Sequence, residues 1–158
     1  MTDAKQDEQN REFAVQRIYT KDISFETPNT PAVFQQEWKP ETSVNLNTEV
    51  NKLTDTVFEV MLSVTVTTKV GEKTAYLAEV KQAGIFSITG FPEQEMGALL
   101  GAYCPNQLFP YVREAISDII IKGSFPQMVL QPVNFDMLYA QHQQELANKA
   151  QAESEATH

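Results

Sequence analysis

Between Thr56 and Val70 the sequence alternates almost without a break: Phe58, Val60, Leu62, Val64, Val66 and Val70 fall on one side of an extended chain, with Glu59, Ser63, Thr65, Thr67 and Lys69 on the other. Successive side chains of a strand point to opposite faces, so this pattern demands a sheet with one buried face and one wetter face. A helix would scatter the same residues around its circumference. The rest of the chain must therefore supply neighbours for this strand and a cover for its apolar side.

The neighbours are legible on both flanks. Val70-Gly71-Glu72-Lys73 reads as a turn, and Thr74 to Ile88 resumes strand-forming composition as the antiparallel partner. In that partner Tyr76, Ala78 and Val80 lie on one side, while Leu77 and Ile85 join Glu79 and Lys81 on the other, which leaves apolar atoms on both faces. Such a strand is buried on both sides or packs on another subunit, so self-association is expected. Phe13 to Glu26 forms a long strand. Strict alternation places Phe13, Val15, Tyr19, Ile23 and Phe25 on one side with Arg17 and Lys21, and Gln16, Thr20, Asp22, Ser24 and Glu26 on the wet side. A shorter strand follows at Val44, Leu46, Thr48 and Val50. Between these two, Thr27 to Pro40 holds three prolines that forbid regular pairing, together with Phe34 and the only tryptophan, Trp38.

From Pro92 the period changes to that of helices. Glu93 to Leu100 can form a short one, interrupted at Gly101-Ala102-Tyr103-Cys104-Pro105. A longer helix capped by Asn106 carries Phe109, Val112, Arg113, Ile116 and Ile120 until Lys122-Gly123, although Pro110 sits inside the pattern and could mark its first turn. Asn134 caps a last helix with an apolar stripe of Phe135, Leu138, Tyr139, His142 and Leu146. Strands followed by helices define an α+β fold: a four-stranded antiparallel sheet with C-terminal helices packed on one face. A single domain over 13–149 is expected, between mobile polar tails at 1–12 and 150–158.

Composition narrows the function. The formal charge is -9, from 21 acidic and 12 basic side chains, which disfavours nucleic acid and favours cationic partners. No apolar run approaches the roughly 18 residues of a spanning helix, and the first residues lack the pattern of a secretory leader. One cysteine, Cys104, permits no internal disulfide and fits a reducing cytosol as a buried small hydrophobe. With two histidines and six glycines there is little material for a histidine-based active site or a phosphate loop, and neither a metal site nor a cofactor is expected.

Two features admit sharper readings. Asp22, Ser24 and Glu26, with Leu77 and Glu79 of the fourth strand, are either ordinary solvation or a docking plate for a basic partner. Phe34 and Trp38 of the loop, with Phe135, Leu138 and Tyr139 of the last helix, form either a core edge or an exposed apolar groove. Rival functions are a small α+β enzyme using a carboxylate in a closed apolar pocket, and a regulatory module binding one defined peptide.

Four segments, RIYTKDISFETPNTPAVFQQEWKP, GIFSITG, GAYCPNQLFPYVRE and GSFPQMVLQPVNFD, resemble the SecB family of protein-export chaperones in the same order, and the likeness spans about residues 13 to 146. The resemblance implies a non-enzymatic, cytoplasmic, ATP-independent chaperone. It would hold unfolded precursor proteins and pass them to the SecA motor ATPase for export through the Sec translocon. It further implies a homotetramer built as a dimer of dimers, with Ala78, Val80 and Gln82 involved in tetramer assembly. By the same resemblance Asp22, Glu26, Leu77 and Glu79 would bind SecA through a basic, zinc-bearing C-terminal module of that partner. The client groove it implies runs between the proline-rich crossover loop and the last helix, with Val33, Phe34, Trp38, Leu46, Phe135, Leu138 and Tyr139 as its candidates.

Overall fold

The structure, a computed structural model, describes residues 10–157. Four strands, β1 (Glu12–Glu26), β2 (Pro40–Lys52), β3 (Val57–Val70) and β4 (Lys73–Thr89), pair antiparallel in the order β1-β4-β3-β2. The helical part comprises α1 (Glu93–Ala98), a π-helical turn (Leu99–Tyr103), α2 (Cys104–Lys122) and α3 (Phe135–Ala156). This is the α+β fold expected from the sequence.

The alternation of β3 is realised fully. Val60, Leu62, Val64 and Val66 are completely buried on one face, in register with Gly84, Gln82, Val80 and Ala78 of β4. Lys73 closes the hairpin opposite Val70, and Gly71 takes φ +62, a left-handed conformation that glycine adopts without a Cβ penalty. On the buried face lies α2, whose Leu108, Val112, Ile116 and Ile120 recur every four residues and are all fully buried. Each such side chain removed from water stabilises the fold by roughly 1.5–3 kcal/mol. The helix comes close because β4 offers little bulk there: a Cβ added at Gly84 would stand 3.1 Å from Leu108 Cδ2.

Strict alternation fails in β1. The register with β4 shifts between Val15 and Arg17 and again between Thr20 and Asp22, so Gln16 and Lys21 are extra residues. Each bulge flips the pattern. Phe13, Ile18 and Phe25 therefore all pack against the core despite their mixed spacing. Tyr19, expected on the side of Phe13, instead lies on the open face and bonds Glu59, whereas Thr20, expected on the wet side, bonds the buried Gln82 through its hydroxyl at 3.0 Å. Asp22, Ser24 and Glu26 keep the open face, in register with Lys81, Glu79 and Leu77.

The interruption expected at Gly101–Pro105 is not a break. The helix continues through the π-helical turn, where Cys104 donates its N–H to the Leu99 carbonyl five residues back. Asn106 is consequently inside α2 and not its cap, because Pro105 tolerates the first turn of a resumed α-helix. Pro110 is likewise interior, on an exposed position of the helix where the carbonyl it leaves unpaired can meet water. Asn134 does cap α3, accepting the Met137 N–H at 3.0 Å. That helix runs to Ala156, so residues 150–156, expected as a tail, are helical. Of the expected 1–12 tail, residues 1–9 lie outside the described residues, as does His158, and Glu12 already belongs to β1.

Candidate binding surfaces

The helix layer does not cover the whole sheet. It lies on β4 and β3, and the core-side row of β2 is left partly open: Leu46 is half-buried, while Val44 and Val50 are 40% and 41% exposed. Opposite this row stands α3, which faces β2 across a groove of about 390 Å³. Leu46, Thr48 and Val50 form one wall, Phe135, Leu138, Tyr139 and His142 the other, and Gly101 of the π-helical turn lies at the junction. Few of these side chains are buried in the subunit. Leu138 is 42% exposed, and in α3 only Phe135 is buried, with its ring edge-on to Phe109 at 5.6 Å between centroids. An apolar trench that the subunit does not fill can take apolar side chains from another chain.

The seven residues expected to form one groove divide into two places. Leu46, Phe135, Leu138 and Tyr139 line the trench. Val33 is buried in the core from a single 3-10 turn (Ala32–Gln35) in the crossover loop. Phe34 and Trp38 instead meet Phe125, at 5.2 Å and 5.8 Å between ring centroids, and Tyr76 approaches the same ring at 4.9 Å. Phe125 is the centre of this cluster and is buried, whereas Phe34 is half exposed above it. Val44 occupies the β2 position between the trench residue Leu46 and the loop that carries Trp38. Sequence reasoning had no signal for Phe125 beyond its place between Gly123 and Pro126. Its contact with β1 is close: a Cβ at Gly123 would meet Phe25 at 2.7 Å and Phe125 at 3.0 Å.

On the opposite face the sheet carries no helix. Here Asp22, Glu26, Leu77 and Glu79 do come together: Glu26 is in register with Leu77, and Glu79 with Ser24, one residue pair away. Glu79 accepts a hydrogen bond from Thr65 Oγ1 at 2.9 Å, with Lys81 Nζ 3.9 Å from its carboxylate. Toward the middle of this face Tyr19 donates to Glu59, which also accepts from Lys21 Nζ at 3.1 Å and from Asn51 Nδ2 at 3.0 Å. The Tyr19 hydrogen bond and then that of Asn51 hold the Glu59 carboxyl below its usual range, against the opposing effect of burial. Burial first, and Glu59 second, push the Tyr19 phenol up to about 12.

Ala78, Val80 and Gln82 are placed elsewhere than on an exposed contact surface. All three are buried on the core face of β4, beneath α2. Cys104 is fully buried at the start of α2, and burial pushes its thiol up to about 12, away from the thiolate a nucleophile needs. Among the described residues no group of three or more His, Cys, Asp or Glu side chains is arranged to hold a metal ion, and no helix is long and apolar enough to cross a membrane.

Residues 6–146 match the family model described as Preprotein translocase subunit SecB. A protein of Methylococcus capsulatus described as Protein-export protein SecB is 60% identical over 141 residues, covering 89% of this chain and 91% of its own. A Marinobacter nauticus protein of the same description is 56% identical over 146 residues, covering 90% of this chain and 88% of its own. Among solved structures, a SecB-like chaperone of Mycobacterium tuberculosis in complex with a ChAD peptide from the HigA1 antitoxin superposes with a TM-score of 0.64 at 17% identity, over 77% of this chain and 90% of that one.

Proposed function

The chain belongs to the SecB family of protein-export chaperones, and from that premise we propose that it is an ATP-independent holding chaperone that binds unfolded precursor proteins in the cytoplasm and delivers them to SecA. The observation that carries the reading is the separation of two unlike surfaces on one small subunit. The trench between β2 and α3 is apolar and unfilled, and the helix-free face of the sheet presents Asp22, Glu26 and Glu79 around Leu77. A client and a motor can then be held at the same time.

The trench suits a holder and not a selective receptor. Leu46, Val50, Phe135, Leu138 and Tyr139 give it apolar surface and as many polar side chains share its lining, so it can take apolar segments with polar neighbours without demanding one sequence. Leu46, Phe135, Leu138 and Tyr139 are the client contacts of this reading, with Phe34 and Trp38 as a second aromatic landing place past Val44 and Val33 fixing their loop to the core. The peptide carried by the structurally similar mycobacterial chaperone supports a peptide ligand for this fold.

Assembly as a dimer of dimers multiplies the weak trenches. Exposed Tyr111 and Ile121 on α2 are apolar surface that a neighbouring subunit would bury. Linked sites gain roughly 100-fold or more in apparent affinity when one client spans several of them. Ala78, Val80 and Gln82 act on assembly through α2, whose position they set from below. The acidic face meets the basic, zinc-bearing C-terminal module of SecA, with Leu77 as the apolar anchor amid the carboxylates.

Light-scattering mass measurement of the chain alone, with an unfolded precursor, and after addition of SecA tests the whole reading. A tetramer, a tetramer–precursor complex and a ternary complex are expected in turn. A chain that leaves unfolded precursor unbound overturns it.

A further inference from the structure

The outer wall of the trench is fastened at one point. In α3 Phe135 is buried and Tyr139 half-buried, and every residue from Ala140 to Ala156 is exposed, so the helix leaves the body after its first turn and a half. Yet His142 and Glu145, beyond that attachment, still line the trench. The wall therefore overhangs its own anchorage.

The anchorage is a bare strip of backbone. The Tyr139 ring lies over Gly97 of α1 and Gly101 of the π-helical turn, one helical turn apart. A Cβ at Gly101 would stand 2.6 Å from Tyr139 Cδ2, and one at Gly97 would run into the Tyr139 hydroxyl while remaining 3.4 Å from Cζ. At Gly101 the ring itself excludes any Cβ, whereas at Gly97 only the hydroxyl does. Gly97 lies near the end of α1 and Gly101 within the π-helical turn that follows it, where the helix carries an added residue.

We propose that Tyr139, seated on Gly97 and Gly101, is the positioning residue that pins α3 and sets the trench in its client-ready width. This rests on the reading of the trench as the client site. With the seat filled, the wall of Phe135, Leu138 and His142 is ordered before a client arrives, and binding does not have to order it. With the seat blocked, α3 swings on Phe135 alone.

The test uses the collision between a Cβ added at Gly97 and the Tyr139 hydroxyl. Gly97→Ala should unseat Tyr139 without disfavouring α1, because alanine is the better helix former. Tyr139→Phe removes the colliding oxygen and leaves the ring, so Gly97→Ala combined with Tyr139→Phe should restore the seat. Amide hydrogen exchange of the full chain without client is expected to quicken in Phe135–Gln144 on the order of ten-fold in Gly97→Ala and to return toward the wild-type rate in the double variant. Affinity for reduced, carbamidomethylated ribonuclease A, a permanently unfolded basic polypeptide, is expected to fall about three- to ten-fold in Gly97→Ala, and in the double variant to return to that of Tyr139→Phe alone, which accounts for any client contact of the hydroxyl itself. Unchanged exchange in Gly97→Ala, or changed exchange without rescue, overturns the pin. Restored exchange with an affinity that never moved overturns its role in setting the trench. Failure of the wild-type chain itself to bind the unfolded polypeptide, with exchange behaving as expected, strikes the client reading and leaves the pin of α3 established.

Discussion

Tyr19 of β1 and Glu59 of β3 are hydrogen-bonded to each other over the strand that lies between them. Ala83, the β4 residue in register with Tyr19, is fully buried although it belongs to the face without helices. A long side chain at position 83 would break that bridge. The open face is thus tied across three strands by polar side chains.

This tie gives stability a defined pH window. The Glu59 carboxyl titrates below its ordinary 4.5 in the folded chain, so its contribution is present above that pH and is lost as pH falls through the lowered value. Tyr19 titrates at about 12, above its ordinary 10.0, so its contribution is present below 10.0 and fades as pH rises from there toward 12. Tyr19→Phe should cost about 1 kcal/mol at neutral pH and move the Glu59 titration upward. Urea unfolding and carboxyl-carbon NMR titration read the two effects, and a Glu59 titration that stays put in Tyr19→Phe would show that the phenol is not its main partner.

Charge reversal separates the two proposed surfaces. Glu79→Lys and Glu26→Lys should each weaken SecA binding about ten-fold at low salt, with the difference shrinking as ionic strength rises. Capture of unfolded precursor should be unaffected, since neither residue lines the trench. Calorimetric titration at two salt concentrations checks this, and undiminished motor binding would remove the acidic face from the account.

Trench and loop variants should behave differently. Leu138→Ser is half exposed to begin with, so it should lower precursor affinity about three-fold or more while leaving unfolding free energy within about 0.5 kcal/mol. Trp38→Ala removes a partner of Phe125 and should cost about 1–3 kcal/mol of stability along with any loss of capture. Equal losses of capture with no loss of stability in either variant would mean that Trp38 meets clients directly and adds little to the core.

Val80→Phe tests how a residue with no exposed surface affects assembly. Overpacking beneath α2 should cost about 1–3 kcal/mol and shift the helix, so subunit stability and tetramer mass should fall together. Sedimentation velocity alongside thermal unfolding reads both. Dissociation with unaltered subunit stability would point to a contact made by Val80 itself.

Much of the fold is readable because β3 obeys a simple period and β4 follows it through a short turn as its antiparallel partner, with nothing interrupting their register between Val57 and Thr68. β1 was readable as a strand but not in its facing, since two bulged residues leave no mark in composition and each inverts every side chain after it. Gly101 and Pro105 look like a helix break by local preference, and a π-helical turn absorbs them. The acidic face was legible because Asp22, Ser24 and Glu26 follow the last bulge and so keep their alternation. The trench was only half legible. Leu46, Phe135, Leu138 and Tyr139 follow from their periods, but Phe125, which draws Phe34 and Trp38 away from the trench, sits in a short proline-bounded link with no period at all.

The strand order has a bearing on biosynthesis. Glu12 at the start of β1 pairs with Thr89 at the end of β4, so the earliest strand to leave the ribosome has no lasting place until the last one has emerged. The hairpin of β3 and β4 closes locally and serves as the template on which β1 is laid down. Because Asp22 and Glu26 ride on that late strand, a nascent or truncated polypeptide is expected to lack the anionic pad, and the export motor would engage only finished subunits.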